Sequence, residues 1–410
     1  MRYFSAGLIA FAAAICATVA QAQVDPKPRS LLHFGYNQPL QGKSSLAGYA
    51  FYYLNKPKIF RNANLRFALA PVYIDSELGF KGALGENVDL GLSAAGGGFA
   101  DSHTEIRKGA PIDEESFIGH GGELGLNLYA LLNPEKKIPL HLVVKGSFHG
   151  TSYRRDSSSP ESFAMPKDHT KGIVRTGLRL AGREPQLFPR LGMEISAWYQ
   201  GEFRLADGTY GFAGDRRLNK NVHQFWSWSS LDYTFPKYNH NLNLTMALGT
   251  GLYQDRLNVH RLGGRLPFIA EFPLDLPGYF FQEISAKDFA LFGSKYLMPL
   301  GKTSKWGLSF FGNHAQVNYL DGLEQPDRGH TGVGTGISYV STNNKWKIHM
   351  DYLYGLHAMR ADKRGAHAIG LLVQYDIAAS QRGIEKVYEP EMSPKKSKGF
   401  DRTFRRWVPR

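Results

Sequence analysis

The residues best placed to do chemistry are His349, Asp351 and His357, at alternate positions of the segment KWKIHMDYLYGLHAMR. Alternate residues of a strand share a face, so a histidine beside a carboxylate there offers an acid/base pair. Polar packing inside a folded sheet accounts for the same residues without any reaction. His120-Gly121-Gly122-Glu123 suggests half of a metal site, yet no companion ligand pair accompanies it, and a metal needs several converging donors. Gly332-Val333-Gly334-Thr335-Gly336 has the look of a phosphate loop. It lies within an alternating strand, however, where inward glycines making room for another segment are the better reading. No Gly-x-Ser-x-Gly elbow occurs, and the single cysteine is Cys16. The pattern predicts no catalytic constellation, no metal and no cofactor.

Cys16 belongs to a segment that is removed. Met1-Arg2 is a basic start, Leu8 to Val19 an apolar run, and Ala20-Gln21-Ala22 a cleavage pattern. The run is shorter than the about 20 apolar residues a spanning helix needs, so residues 1–22 read as a secretory signal peptide cleaved after Ala22. Ile15 precedes Cys16, where a lipoprotein signal needs a small residue. The expected mature chain begins at Gln23 without a thiol, which excludes disulfides.

Beyond the signal, the elements are strands. Trp346, Ile348, Met350, Tyr352, Tyr354 and Leu356 alternate with Lys347, His349, Asp351, Leu353, Gly355 and His357. One face is apolar and aromatic and the other mostly polar or small, as for a strand with lipid outside and water or packed polar groups inside. Ile369 to Ile377, Leu242 to Leu248, Leu124 to Leu128 and Val88 to Leu92 repeat the pattern. A helix would space its apolar residues by three and four. Counting such segments gives about fifteen strands after Ser45, and Leu31 to Tyr36 completes about sixteen, an even number as bacterial barrels require. That first strand is inferred mostly from parity, and within Asn221 to Phe235 the alternation slips at Trp226 and Trp228. Short connections (183–190, 301–305, 341–345) alternate with long ones (101–115, 153–170, 254–283), as periplasmic turns and extracellular loops do. Lys145, Arg175, Arg179 and Lys347 are expected inward with Glu77, Asp89, Glu123, Glu194 and Asp351, giving a salt-bridged, partly plugged lumen. Tyr49, Phe51, Tyr53, Trp346, Tyr352 and Tyr354 are expected to face lipid.

This partition gives a signal (1–22), a short periplasmic leader (23–30), an outer-membrane barrel (31–378) and a basic periplasmic tail (379–410). The tail carries nine Lys/Arg against four Asp/Glu and ends Phe404-Arg405-Arg406-Trp407. A solvated tail is one reading. The other is an arm that docks on a partner through Lys395, Lys396, Lys398, Arg405, Arg406 and Trp407, by charge and an aromatic anchor. The formal charge of +13 suits acidic partners such as the phosphates of outer-membrane lipids and lipopolysaccharide. Nucleic acid is a poor candidate in that compartment.

One connection stands out, RLGGRLPFIAEFPLDLPGYFFQEIS, from Arg261 to Ser285. It is the over-long sixth extracellular loop, with five strands after it. In this the chain resembles the BamA/TamA/FhaC-type assembly-factor superfamily, also called the bacterial surface antigen family. The resemblance covers mainly Arg261 to Ile377. It implies a sixteen-stranded barrel whose sixth loop folds into the lumen. Leu276-Pro277-Gly278-Tyr279 stands where the family has its Val/Leu-Arg-Gly-Tyr/Phe tip, with Gly263 and Gly264 at the loop base. Lys295-Tyr296-Leu297-Met298-Pro299-Leu300 is similar to a strand end of that family. Two departures follow. Pro277 replaces the arginine that in the family reaches an acidic residue on the wall, and the two strands after Leu300 offer Asn313, Gln316, Ser338 and glycines but no carboxylate. The usual charge anchor is therefore expected to be missing. Eight leader residues also leave no room for the periplasmic POTRA domains of the family's assembly and secretion members.

The sequence thus predicts an all-β fold, a transmembrane antiparallel β-barrel of about sixteen strands with a long luminal sixth loop. The expected role is non-enzymatic: a POTRA-less subunit or scaffold of an outer-membrane assembly, secretion or biogenesis complex, with a periplasmic or outer-membrane protein partner. A solute or anion pore is the first alternative, and an outer-membrane hydrolase the second.

Overall fold

Strands with apolar outward and polar inward residues have one stable arrangement in a membrane, a closed sheet with no free backbone edge in lipid. The computed structural model describes residues 28–379 apart from 44–46, 137, 183–186, 189–190, 236–237 and 302–304. In it sixteen antiparallel strands close a barrel. They are β1 Arg29–Pro39, β2 Ala47–Phe60, β3 Ala63–Leu69, β4 Tyr73–Phe80, β5 Val88–Gly97, β6 Ala110–Leu131, β7 Leu140–Arg155 and β8 His169–Gly182. Then follow β9 Leu191–Arg204, β10 Asn221–Thr234, β11 Asn241–Leu252, β12 Ile284–Leu300, β13 Trp306–Tyr319, β14 Gly329–Val340, β15 Trp346–Arg360 and β16 Lys363–Asp376. The seam pairs β1 with β16 from Leu31 against Asp376 to Pro39 against Ala368. The described residues contain no helix long and apolar enough to cross a membrane.

The two faces of β15 separate as the alternation requires. Met350 is 58% and Tyr352 47% exposed toward the surroundings of the barrel, whereas His349 and Asp351 are buried. On β2 the expectation fails. Tyr49, Phe51 and Tyr53 share the face of buried Ala47 and Asn55 and point into the lumen. The Phe51 ring stacks on His33 at 5.0 Å, and Phe268 of the sixth loop lies 4.7 Å from the same histidine. Aromatic residues on both faces of a strand hide its polarity, and here the inner set packs against protein. The same cause explains the slip on β10. Trp226 and Trp228 both lie within 6.0 Å of Phe272, another loop residue, and Trp198 of β9 lies 5.4 Å from it.

Above the outer rim the loops build a small dome. A hairpin of His103–Arg107 against the start of β6 meets the short strands Phe163–Ala164, Gly208–Phe212 and Arg216–Leu218. Phe117, Phe163, Tyr210 and Leu218 form its apolar centre. Its polar centre is Glu105, which meets His103 at 3.0 Å and pairs with Arg256, while Glu115 binds Arg107 and Arg216. Burial opposes ionisation of Glu105, but the His103 hydrogen bond and the charges of His103, Arg256 and Arg216 outweigh it and bring its pKa down to about 2. Burial also lowers His103 to about 4, so its ring is neutral at neutral pH.

Candidate functional site in the barrel lumen

The sixth loop enters the lumen because its backbone turns at residues that tolerate left-handed conformations. Gly263, Gly264 and Gly278 have φ of +140°, +68° and +84°. The two limbs of the loop pair. The Leu276 N–H donates to Gly264 O at 2.9 Å, and the Gly263 N–H to Leu274 O at 3.0 Å. At the tip, a Cβ on Gly278 would lie 2.0 Å from the Gly355 nitrogen on β15, so only glycine lets the tip press against that strand. The β14 glycines have a matching use: a Cβ on Gly332 would lie 2.2 Å from Pro277 O, and one on Gly334 2.4 Å from the Phe311 ring. The Gly332-x-Gly334-x-Gly336 run makes space for its neighbours.

Leu276 and Tyr279 are fully buried. The Tyr279 hydroxyl is 3.2 Å from His330 Nδ1, and the other ring nitrogen of His330 faces the Tyr319 hydroxyl at 2.5 Å. Asn313 Nδ2 donates to Asp275 O at 2.7 Å. Polar wall residues thus hold the loop backbone as well as its side chains, as a buried irregular segment demands.

Charge anchors the loop on both flanks. Arg265 pairs with Asp351 of β15, and its guanidinium lies 4.3 Å from the centre of the Phe311 ring. Across the lumen Glu271 lies 3.7 Å from Lys145, 3.3 Å from Arg175 and 3.4 Å from Arg179, on β7 and β8. Where the loop rejoins the wall, Arg360 grips Glu283 through two nitrogens at 2.9 and 3.0 Å and covers the Phe280 ring at 3.4 Å. The expected absence of a charge anchor is therefore corrected. Pro277 does occupy the tip, and β13 and β14 do lack the carboxylate. The arginine comes instead from the upstream limb, brought beside the tip by the Gly264–Leu276 bridge, and its acid stands one strand further round, on β15.

His349 and Asp351 meet at 2.5 Å beneath the loop, but His357 is elsewhere, accepting the Thr331 N–H at 3.3 Å. His120 Nδ1 accepts the Phe99 N–H, while Glu123 lies 3.7 Å from His149. Among the described residues no group of three His, Cys, Asp or Glu is arranged to hold a metal ion.

Sequence reasoning missed Arg265, Glu271 and Phe272, and also a second obstruction at the short-turn end of the barrel. Leu187 and Phe188, in the turn between β8 and β9, reach across to the opposite wall. The Leu187 N–H donates to Gln374 at 2.7 Å and its carbonyl accepts from Lys347 at 2.8 Å, while Phe188 lies under Lys295 at 5.0 Å. Apolar Leu-Phe inside a short Pro-bracketed turn was the available signal. Between the loop and the wall around β2 to β8 a cavity of about 1500 Å³ remains, with Arg66, Glu77, Lys145, His149 and Arg175 on its lining. Lys395, Lys396, Lys398, Arg405, Arg406 and Trp407 lie outside the described residues.

No family model matches the chain, and no curated protein matches it. Solved structures do. CdiB from Acinetobacter baumannii superimposes with a TM-score of 0.54 at 9% identity, over 85% of this chain and 60% of that one. CdiB from Escherichia coli gives 0.53 at 10% identity, over 84% and 63%. BamA from Haemophilus ducreyi lacking POTRA domains 1-3 gives 0.51 at 11% identity, over 90% and 78%. The chain therefore spans less than two thirds of the length of either CdiB. At such identities the likeness is one of fold: this chain is a sixteen-stranded transmembrane β-barrel built as the barrels of CdiB and BamA are.

Proposed function

We propose that this barrel is a non-enzymatic subunit or scaffold of an outer-membrane assembly, secretion or biogenesis complex. The observation that carries the reading is the two-sided fastening of the sixth loop, Arg265 to Asp351 on one wall and Glu271 to Lys145, Arg175 and Arg179 on the other. A loop held by charge on both flanks occupies the passage that a diffusive pore keeps open. The fold shared with CdiB and BamA supports the same reading by analogy of architecture. The basic tail, 379–410, is assigned the contact with a periplasmic or outer-membrane protein. Native purification with and without residues 379–410 tests this: partners that depend on the tail support it, and an identical set of co-purifying proteins counts against it. A second reading, a solute pore, is favoured by the cavity that the loop leaves unfilled. Planar-bilayer recording separates the two, since a plugged barrel gains steady current when Pro267 to Tyr279 is deleted and an open pore does not.

A further inference from the structure

The seam between β1 and β16 is fully paired, yet the wall is incomplete elsewhere. β3 and β4 are the shortest strands of the barrel, with seven and eight residues. Seven residues extend about 23 Å at ~3.3 Å each. A tilt of about 40° leaves roughly 18 Å of height, short of the about 25 Å apolar band of an outer-membrane barrel. The register shows where the wall stops. β3 reaches β2 only up to Leu69 opposite Tyr52. Above that pair Ala47 to Phe51 still bond to β1 on their other side, but among the described residues no strand pairs with them on the β3 side. The far bank is β6: β5 ends level with the turn, with Gly97 opposite Tyr73, whereas β6 rises past Gly121 into the dome. The result is a notch above the Ala70–Pro71–Val72 turn, closed at its base by the Gly98 N–H donating to Val72 O at 2.7 Å.

The notch joins two environments. Its outer rim is apolar, with Leu69 49%, Val72 53% and Phe99 56% exposed. Its inner side is the 1500 Å³ cavity, whose lining includes outward-facing Phe34 and Ala50 together with luminal Tyr49, Phe51 and Phe268. The lining thus draws on both faces of β1 and β2, beside the unpaired edge of β2. That volume exceeds the about 300–1,000 Å³ of ordinary small-molecule sites. Bare strand edge at membrane depth is tolerated only beside polar company, so whatever fills the notch brings hydrogen-bonding groups as well as apolar surface. An aromatic shelf leading inward to Arg66 and Lys145 fits one chemistry.

We propose that the notch is a lateral portal for an acyl-chain amphiphile of the outer leaflet. Its apolar chain lies along Tyr49, Phe51 and Phe268, and its polar head meets the open edge of β2 and the charged lining beyond. This site is independent of any partner bound by the tail.

The test uses the full-length barrel in phosphatidylethanolamine–phosphatidylglycerol vesicles, with and without lipopolysaccharide. A benzophenone-bearing phenylalanine analogue replaces Phe51 or Phe268, with Phe272 and Phe188 as controls, and folding is checked by heat-dependent gel mobility. Irradiation is expected to add lipid mass at 51 and 268 but not at 272 or 188. The mass of the adduct tells phospholipid from lipopolysaccharide as the source. Gly98→Trp, where a first side-chain carbon meets nothing nearer than 3.8 Å, is expected to fill the notch and reduce those adducts several-fold. Folded barrels without lipid adducts at 51 and 268, or with equal labelling at the controls, overturn the portal.

Discussion

Arg265 and Asp351 form a buried ion pair between the upstream limb of the sixth loop and the β15 wall, with Phe311 stacked beneath the guanidinium. Breaking a buried pair from one side leaves an uncompensated charge. Arg265→Ala is expected to destabilise the barrel by about 3 kcal/mol and to make the loop accessible to trypsin. Replacing both partners by apolar residues is expected to recover part of that loss. Urea unfolding in detergent across the two single variants and the double variant measures the coupling. Purely additive losses would show that the pair does not hold the loop.

The opposite flank makes a different prediction. Glu271 is the carboxylate that Lys145, Arg175 and Arg179 share, and Arg179 also reaches Glu194 at 2.8 Å. Glu271→Gln keeps the shape and removes the charge, leaving a cationic patch beside the cavity. Any residual conductance is then expected to shift toward anions, read as a change of reversal potential in a salt gradient. An unchanged reversal potential would mean that ions do not pass this wall.

The barrel itself was legible in the sequence because alternation needs only the two faces of each strand. Strand number, the loop's position and the five strands after it follow from that pattern. The loop's fastening was not legible, because it depends on which limb reaches which wall. Arg265 is distant from the tip in sequence, and only the Gly264–Leu276 bridge sets it beside Pro277. Tyr49, Phe51, Trp226 and Trp228 misled for a related reason. A lumen filled by a folded loop has a protein-like core, so inward aromatics lose the contrast with outward ones. The notch escaped notice because a missing stretch of strand has no residues of its own to read.

The dome should loosen in acid, and the sign follows from two groups. His103 is held neutral, with its pKa lowered from 6.5 to about 4, so the unfolded chain binds its proton more readily and stability falls as pH drops from 6.5 toward 4. Glu105 is lowered from 4.5 to about 2, so its contribution is present above 4.5 and is lost as pH falls toward 2. Hydrogen exchange of residues 103–117 is expected to quicken stepwise below pH 6.5. His103→Gln should remove the first step and leave the second. A single step near pH 4.5 in the parent protein would contradict the histidine's part.

Gly332 offers the sharpest steric test of the inserted loop. A Cβ there would lie 2.2 Å from Pro277 O and 2.8 Å from Pro277 N, both backbone atoms that no rotamer can move. The neighbouring strand supplies a control, since a Cβ on Gly312 would meet Val333 at 3.6 Å, an ordinary contact. Both glycines sit in strands with similar backbone demands, so the difference between them isolates the loop. Gly332→Ala is expected to cost about 1–3 kcal/mol and to displace the tip, exposing Tyr279. Gly312→Ala should be close to neutral or mildly stabilising, because alanine loses less backbone entropy than glycine on folding. Unfolding midpoints give the stability difference, and Tyr279→Cys labelling by a membrane-impermeant maleimide reports the tip in each background. Labelling of Tyr279→Cys that is rapid in the parent barrel and unaffected by Gly332→Ala would mean that the loop does not rest against β14.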